Sequence, residues 1–81
     1  MTVRVLLFAT YAELAGRTSV EVSVQSPATV SDVLCSLRAV LPGAGGLPER
    51  PLVAVNQVHA RLDSTVSDGD ELAVLPPLAG G

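Results

Sequence analysis

The chain has 81 residues, which is enough for one domain with a modest core, because a chain of this size buries only about 60% of the surface that its unfolded form exposes. Apolar residues make up 48% of it, with one Phe, one Tyr and no Trp, so the core must consist of Val, Leu and Ala. The net charge of -3 disfavours nucleic acid as a partner. The single Cys excludes an internal disulfide and a thiolate-only metal site. No apolar run approaches the roughly 20 residues of a membrane-spanning helix. We therefore expect a cytoplasmic protein.

The first third of the chain predicts a β-hairpin with a helical turn inside it. Val3 to Phe8 is apolar and partly β-branched, as is typical of a strand, and the following TYAELAG can form a helical turn that Gly16 closes. Thr18 to Val24 alternates between apolar and polar residues, which is the pattern of a half-buried strand. The apolar face of this second strand would hold Val20, Val22 and Val24.

The middle of the chain predicts the main helix. Thr29 is suited to cap its start, with Asp32 three residues on as a shortened capping box. Apolar residues at helical spacing then give one stripe, which must lie on one face of a sheet: Val30, Val33, Leu34, Leu37, Val40 and Leu41. Pro42-Gly43 ends the helix, and positions 42 to 51 are expected to form a plain loop, since they lack the fingerprint of a phosphate site.

The last third predicts a second hairpin and a final strand. Leu52 to Val55 is a strand, Asn56-Gln57 a tight turn and Val58 to Leu62 the returning arm. Asp68-Gly69-Asp70 is a turn, and Glu71 to Leu75 is the last strand. This order of elements predicts an α+β fold, in which a mixed sheet of four to five strands packs on one main helix.

The first and last strands have predictable faces. Arg4 and Glu71 are charged and should face solvent, and residues two and four positions further on face the same way. If the two strands are neighbours, the outer face carries an apolar patch where the chain leaves the domain, made of Leu6, Phe8, Ala73 and Leu75. The alternative is an ordinary surface, because single exposed apolar residues are common.

The chain ends in PPLAGG, a segment that cannot fold by itself, because Gly and Ala bury little and lose much backbone entropy on ordering. Gly80 and Gly81 have no side chain to clash in a narrow channel, and Pro76-Pro77 favours an extended backbone. The tail is therefore suited to insertion into another protein. The chain has no Lys, so it offers no side-chain amine that could receive an isopeptide bond.

Three segments resemble a known family: VLLFATYAELAG near the start, AVNQ at 54 to 57, and DGDELAVLPPLAGG from Asp68 to Gly81. Across essentially the whole chain they resemble the small subunit of molybdopterin synthase, a sulfur carrier with the ubiquitin-like β-grasp fold. The resemblance implies a β-grasp domain of residues 1–75 and an extended Gly-Gly tail of residues 76–81. It also implies that the chain catalyses nothing alone and binds no cofactor.

In that family the chemistry takes place on the C-terminal carboxylate, which corresponds to Gly81. An adenylating enzyme of the ubiquitin-activating type uses ATP to form an acyl adenylate, and a persulfide donor supplies sulfur to make a thiocarboxylate. The large subunit, the partner in a heterotetramer, uses this sulfur on a pterin precursor for the molybdenum cofactor. The resemblance implies that the partners contact Phe8, Leu75, Pro76, Pro77, Leu78, Ala79 and Gly80.

Two positions depart from the family's docking face, since Leu75 stands where an aromatic residue is common and His59 where an apolar one is. Three alternatives also stay open: a sulfur carrier for another pathway such as thiamine thiazole formation, a ubiquitin-like modifier joined to lysines, and a β-grasp binding module without tail chemistry. The thiazole carriers usually lack the Pro-Pro pair. The modifier would leave isopeptide adducts on cellular proteins.

The remaining reactive side chains have ordinary structural interpretations. His59 is expected on a strand surface, because no carboxylate, Ser or Cys partner is in evident reach. Cys35 follows Leu34 on the helix and is expected to be a small core or boundary residue. The acids of the last turn could form an acid/base pair or a cation site, but we expect them to shape and solvate the turn and to steer the tail: Asp68, Asp70 and Glu71.

Overall fold

The structure is a computed structural model that describes residues 1–40 and 51–75. Within these residues, the elements follow in the order β1 (Thr2–Leu7), α1 (Ala9–Ala15), β2 (Ser19–Ser23), β3 (Ala28–Thr29), α2 (Val30–Val40), β4 (Leu52–Val55), β5 (Val58–Ala60), β6 (Thr65–Val66) and β7 (Glu71–Leu75). The predicted loop after the main helix, with Leu41 and Pro42-Gly43, lies outside the described residues except for Pro51.

Five strands form one mixed sheet in the order β2-β1-β7-β4-β5. Strands β1 and β7 are parallel, whereas the pairs β1 with β2, β4 with β7, and β4 with β5 are antiparallel. Strands β3 and β6 form a separate two-stranded ladder. The helix α2 packs on one face of the five-stranded sheet, as the sequence predicts, while the strand pair β3 and β6 was not predicted.

The core lies between α2 and the inner face of the sheet, and its side chains in the described part of the chain are all apolar. The central strands contribute Val3, Val5, Leu7, Leu72 and Val74. The helix contributes Val30, Val33, Leu34 and Leu37. The alternation predicted for β1 and β7 is therefore confirmed, and the outward faces of both strands are left for other contacts.

The helix α2 begins as the capping pattern predicts. The backbone N–H of Thr29 donates to Oδ2 of Asp32 at 2.8 Å, and the N–H of Asp32 donates back to Oγ1 of Thr29 at 3.3 Å. Two predictions about this helix are wrong. Val40 is 66% exposed, because it is the last residue of the helix and lies outside the core cluster. Cys35 is exposed, because it lies one residue, about 100° of helical rotation, beyond the buried Leu34.

The helical turn predicted after the first strand is the seven-residue helix α1. Its Tyr11 is buried in the core, which anchors the helix against the sheet. Gly16 closes the helix at φ 72° and donates its N–H to the carbonyl of Ala12 at 2.9 Å, as a left-handed glycine cap does. No helix in the described part of the chain is long and apolar enough to cross a membrane.

The hairpin of β4 and β5 turns at Asn56 and Gln57, whose φ angles of 50° and 70° suit a two-residue hairpin. Strand β5 ends at Ala60, earlier than the predicted Leu62. The difference has a local cause, because the N–H of Arg61 donates to Oγ of Ser64 at 2.9 Å and the chain turns away from β4.

Candidate functional site

The outer face of the sheet carries a continuous set of apolar residues beside the end of β7. Leu6 on β1 is the Cα partner of Ala73 on β7, which in turn is the partner of Ala54 on β4. One pair further along, Leu75 is the partner of Leu52. With Phe8 these residues form what we call the outer patch: Leu6, Phe8, Leu52, Ala54, Ala73 and Leu75.

Phe8 lies at the end of the outer patch from which the chain continues beyond β7. It directly follows β1 and has an extended backbone, with φ -127° and ψ 153°. Since Leu7 is the parallel partner of Val74, the next position places Phe8 beside Leu75. Phe8 is 43% exposed and Leu52 is 45% exposed, so Leu75 has an accessible apolar neighbour on each side.

The sequence predicts four members of the outer patch and misses Leu52 and Ala54. Their pairing with Leu75 and Ala73 depends on the strand order, in which β7 lies between β1 and β4. The alternation of apolar residues in β4 could have assigned Leu52 and Ala54 to the patch only if β7 had been known to be the neighbouring strand. The six tail positions predicted to react or to bind partners lie outside the described residues: Pro76, Pro77, Leu78, Ala79, Gly80 and Gly81.

The opposite end of the same face is charged. Arg4 on β1 is the Cα partner of Glu21 on β2 and of Glu71 on β7. The outer face is therefore divided into an apolar half near Leu75 and a charged half near the start of β7. A partner that covers the apolar half would meet charged side chains at its boundary.

The carboxylates of the turn before β7 accept hydrogen bonds from the backbone. Oδ1 of Asp68 accepts the N–H of Thr2 at 2.7 Å, and Oδ2 of Asp70 accepts the N–H of Ser67 at 2.7 Å. These bonds confirm that both carboxylates shape the turn. Within the described residues, no group of three or more His, Cys, Asp or Glu side chains is placed to hold a metal ion.

Asn56 connects the second hairpin to the start of β7, a role that sequence reasoning missed. Its Nδ2 donates to Oδ1 of Asp70 at 3.1 Å, and its Oδ1 accepts the N–H of Glu71 at 3.0 Å. Its backbone N–H also donates to the carbonyl of Glu71 at 2.8 Å. Asn56 thus holds β7 in the register that places Leu75 in the outer patch.

The two remaining candidates lie on different faces. His59 is exposed on the outer face, as predicted, and is the Cα partner of Ala54. Cys35 lies on α2, which packs against the inner face, and it lines a hollow with Asp32 and Pro27. The structure therefore brings His59, and not Cys35, next to the outer patch.

Residues 5–81 match the family model described as the ThiS family. The molybdopterin synthase sulfur carrier subunit of Mycobacterium tuberculosis (strain ATCC 25618 / H37Rv) is 36% identical over 80 residues, covering 98% of this chain and 96% of the relative. Small archaeal modifier protein 1 of Haloferax volcanii is 39% identical over 83 residues, covering 93% of this chain and 95% of the relative.

Solved structures show the same fold. The crystal structure of small archaeal modifier protein 1 from Haloferax volcanii gives a TM-score of 0.85 at 36% identity, covering 100% of both chains. A chain of the BexX/CysO complex of Amycolatopsis orientalis gives a TM-score of 0.76 at 27% identity, covering 98% of this chain and 99% of that one. These likenesses confirm the predicted ubiquitin-like β-grasp fold.

Proposed function

The chain belongs to the ThiS family, and we propose that it is the cytoplasmic sulfur carrier subunit of molybdopterin synthase. One observation carries the proposal: β7 ends at Leu75, inside the outer patch, and PPLAGG follows directly in the sequence. An apolar surface and an insertable tail therefore adjoin. A partner enzyme can hold the outer patch while the tail enters its active site.

The chemistry would take place on the carboxylate of Gly81. This group is a poor acyl donor until the adenylating partner joins it to the α-phosphate of ATP and releases pyrophosphate. The terminal sulfur of a persulfide then attacks the acyl carbon, and AMP leaves. A second thiol cleaves the resulting acyl disulfide, so that the donor leaves in a disulfide and a nucleophilic thiocarboxylate remains.

In the large subunit, the thiocarboxylate sulfur would attack a carbon of the pterin precursor and displace the oxygen substituent of that carbon, so that the sulfur joins the precursor to the acyl carbon of Gly81. Water then replaces the transferred sulfur at the acyl carbon and restores the carboxylate for another cycle. ATP is bound by the activating partner, so this chain's own residues have three tasks: to fold, to dock and to present the tail. The described residues that dock are those of the outer patch, in which Phe8 and the three leucines, Leu6, Leu52 and Leu75, offer the largest apolar side chains.

Docking through the outer patch has a physical basis in its composition. Burying apolar surface contributes about 25 cal/mol per Å² to association, before the cost of lost motion. Between the larger side chains lie the small ones of Ala54, which is 9% exposed, and of the half-buried Ala73, so the patch is shallow there and a partner side chain can rest on it. The relative in the BexX/CysO structure is solved in a complex with a protein partner, which supports docking of this kind.

Adenylation can be tested by ATP-pyrophosphate exchange with the host's activating enzyme. We expect exchange with the wild-type chain, and none with a chain that lacks Gly80 and Gly81, whose urea unfolding should match that of the wild type. Gly81→Val should also fold normally and fail to support exchange, because its side chain would meet the channel wall. Normal exchange with Gly81→Val would contradict insertion of the tail into a narrow channel.

A second function, protein modification, is favoured by the 39% identity to small archaeal modifier protein 1. In that case the activated Gly81 would acylate lysines on target proteins, instead of supplying sulfur to a small molecule. Mass spectrometry of host proteins separates the two functions, since a modifier leaves the carboxyl group of Gly81 in an isopeptide bond to target lysines. This chain, which has no Lys, could not be linked to further copies of itself through side-chain amines.

A further inference from the structure

His59 lies in the same cross-strand row as three apolar members of the outer patch. The row runs from Leu6 through Ala73 and Ala54 to His59 on the edge strand β5. Neighbouring strands lie about 4.8 Å apart, so the imidazole follows directly on the small side chain of Ala54. A partner seated on the outer patch would therefore also reach His59.

Arg61 adds a positive charge at the same rim of the patch. It lies two positions after His59 and, with Leu52 and Asp63, lines one hollow beside β4 and β5. Its Nε lies 3.9 Å from Oδ1 of Asp63, but both side chains are 86% exposed, so solvent weakens this ion pair. The guanidinium keeps further N–H donors for another acceptor.

Covering this rim has an energetic consequence. An imidazole or a guanidinium that loses water without gaining a hydrogen-bond acceptor destabilises the complex, and the penalty is larger for the charged group. A carboxylate accepts from both groups and gives the shorter, stronger bonds of a charged pair. An apolar partner surface at this place would leave the imidazole without an acceptor and the guanidinium with Asp63 as its only charged neighbour.

The charges on the outer face also favour one orientation of the partner. Glu21 lies on β2, at one edge of the sheet, whereas His59 lies on β5, at the other edge. Arg61 follows His59 at this second edge and presents a guanidinium there, with Asp63 beside it. Complementary charges on a partner can therefore match this face in one direction and not in the reverse direction.

We propose that His59 and Arg61 are specificity-determining residues that select a protein partner with a carboxylate side chain opposite the β5 rim. The proposal rests on the proposed function, because it requires docking on the outer patch. Partners that present an apolar side chain there would be disfavoured, since they would cover the imidazole without an acceptor and leave the guanidinium only its contact with Asp63. The two residues would thus restrict which activating or synthase partners accept this carrier.

Binding to the host's molybdopterin synthase large subunit tests the proposal, with affinities measured at low and high salt. We expect His59→Leu and Arg61→Gln each to weaken binding about tenfold, because a charged hydrogen bond contributes about 1.5 kcal/mol or more. Arg61→Gln should also reduce the salt dependence. Arg38→Gln is the matched control: it removes the same charge from α2, on the other side of the sheet, and should leave binding unchanged.

Equal or tighter binding by His59→Leu would overturn the proposal, because it would mean that the partner surface at this place is apolar. Leu52→Asp tests the docking itself and should abolish binding. If Leu52→Asp binds like the wild type, the outer patch is not the docking surface and the proposed function loses its structural support. Urea unfolding of each variant checks that the fold is intact.

Discussion

Asn56 combines two properties that few residues could supply together. Its φ of 50° is a left-handed angle, which Asn adopts more readily than most residues with a side chain. Its side chain also bonds Asp70 and the backbone of Glu71 across the sheet. The turn chemistry of Asn-Gln was predictable from the sequence, but the bonds to residues 14 and 15 positions away were not, because no local pattern encodes them.

Substituting Asn56 separates these two properties. We expect Asn56→Ala to lower the free energy of unfolding by about 1–3 kcal/mol, since it loses both bonds and strains the backbone. Asn56→Gly should cost less, because glycine tolerates the angle. Urea unfolding measures both, with Gln57→Gly as the control at the neighbouring left-handed position. Equal stability of Asn56→Ala and the wild type would contradict the role of Asn56 in holding β7.

Strand β7 shows how much an element reveals from its own sequence. Its alternation, read from the charged Glu71, assigns Leu72 and Val74 correctly to the core. Strands β3 and β6 were missed because two residues are too few to show a period. The exposure of Val40 was missed because helical spacing predicts a direction but not the point at which the core ends.

The two faces of β7 should respond differently to the same substitution. Leu72→Ala should lower the free energy of unfolding by about 2–5 kcal/mol, because Leu72 is fully buried and its loss leaves a cavity. Leu75→Ala should change it by less than about 1 kcal/mol and instead weaken binding to the partner enzymes. Urea unfolding and binding assays on both variants check this, and a large loss of stability in Leu75→Ala would show that Leu75 serves the fold and not docking.

For the molecule as a whole, the order of the predicted helix and strands along the chain was sufficient to predict the α+β fold class. One amphipathic helix among short alternating strands has few ways to bury its apolar stripe. The placement of Leu52 and Ala54 beside β7, and of His59 one strand further out on β5, was not predictable from the residues alone, because it depends on which strands become neighbours. The partners' contribution to the docking face is likewise absent from this chain's sequence.

The folded domain and the tail have separate tasks in this account. The domain buries its apolar residues on one side of the sheet and leaves the outer patch on the other. The proposal assigns the reactive chemistry to the tail, residues 76–81. We therefore propose that Gly81 carries sulfur while the rest of the chain serves to fold and dock.

Intact mass spectrometry tests this claim most directly. The purified chain is incubated with the host's activating enzyme and a persulfide donor, with and without ATP. If Gly81 carries sulfur, the chain should show an ATP-dependent gain equal to the mass difference between sulfur and oxygen, confined to the peptide that ends at Gly81. No gain, under conditions in which the same enzyme loads a known carrier, would contradict it.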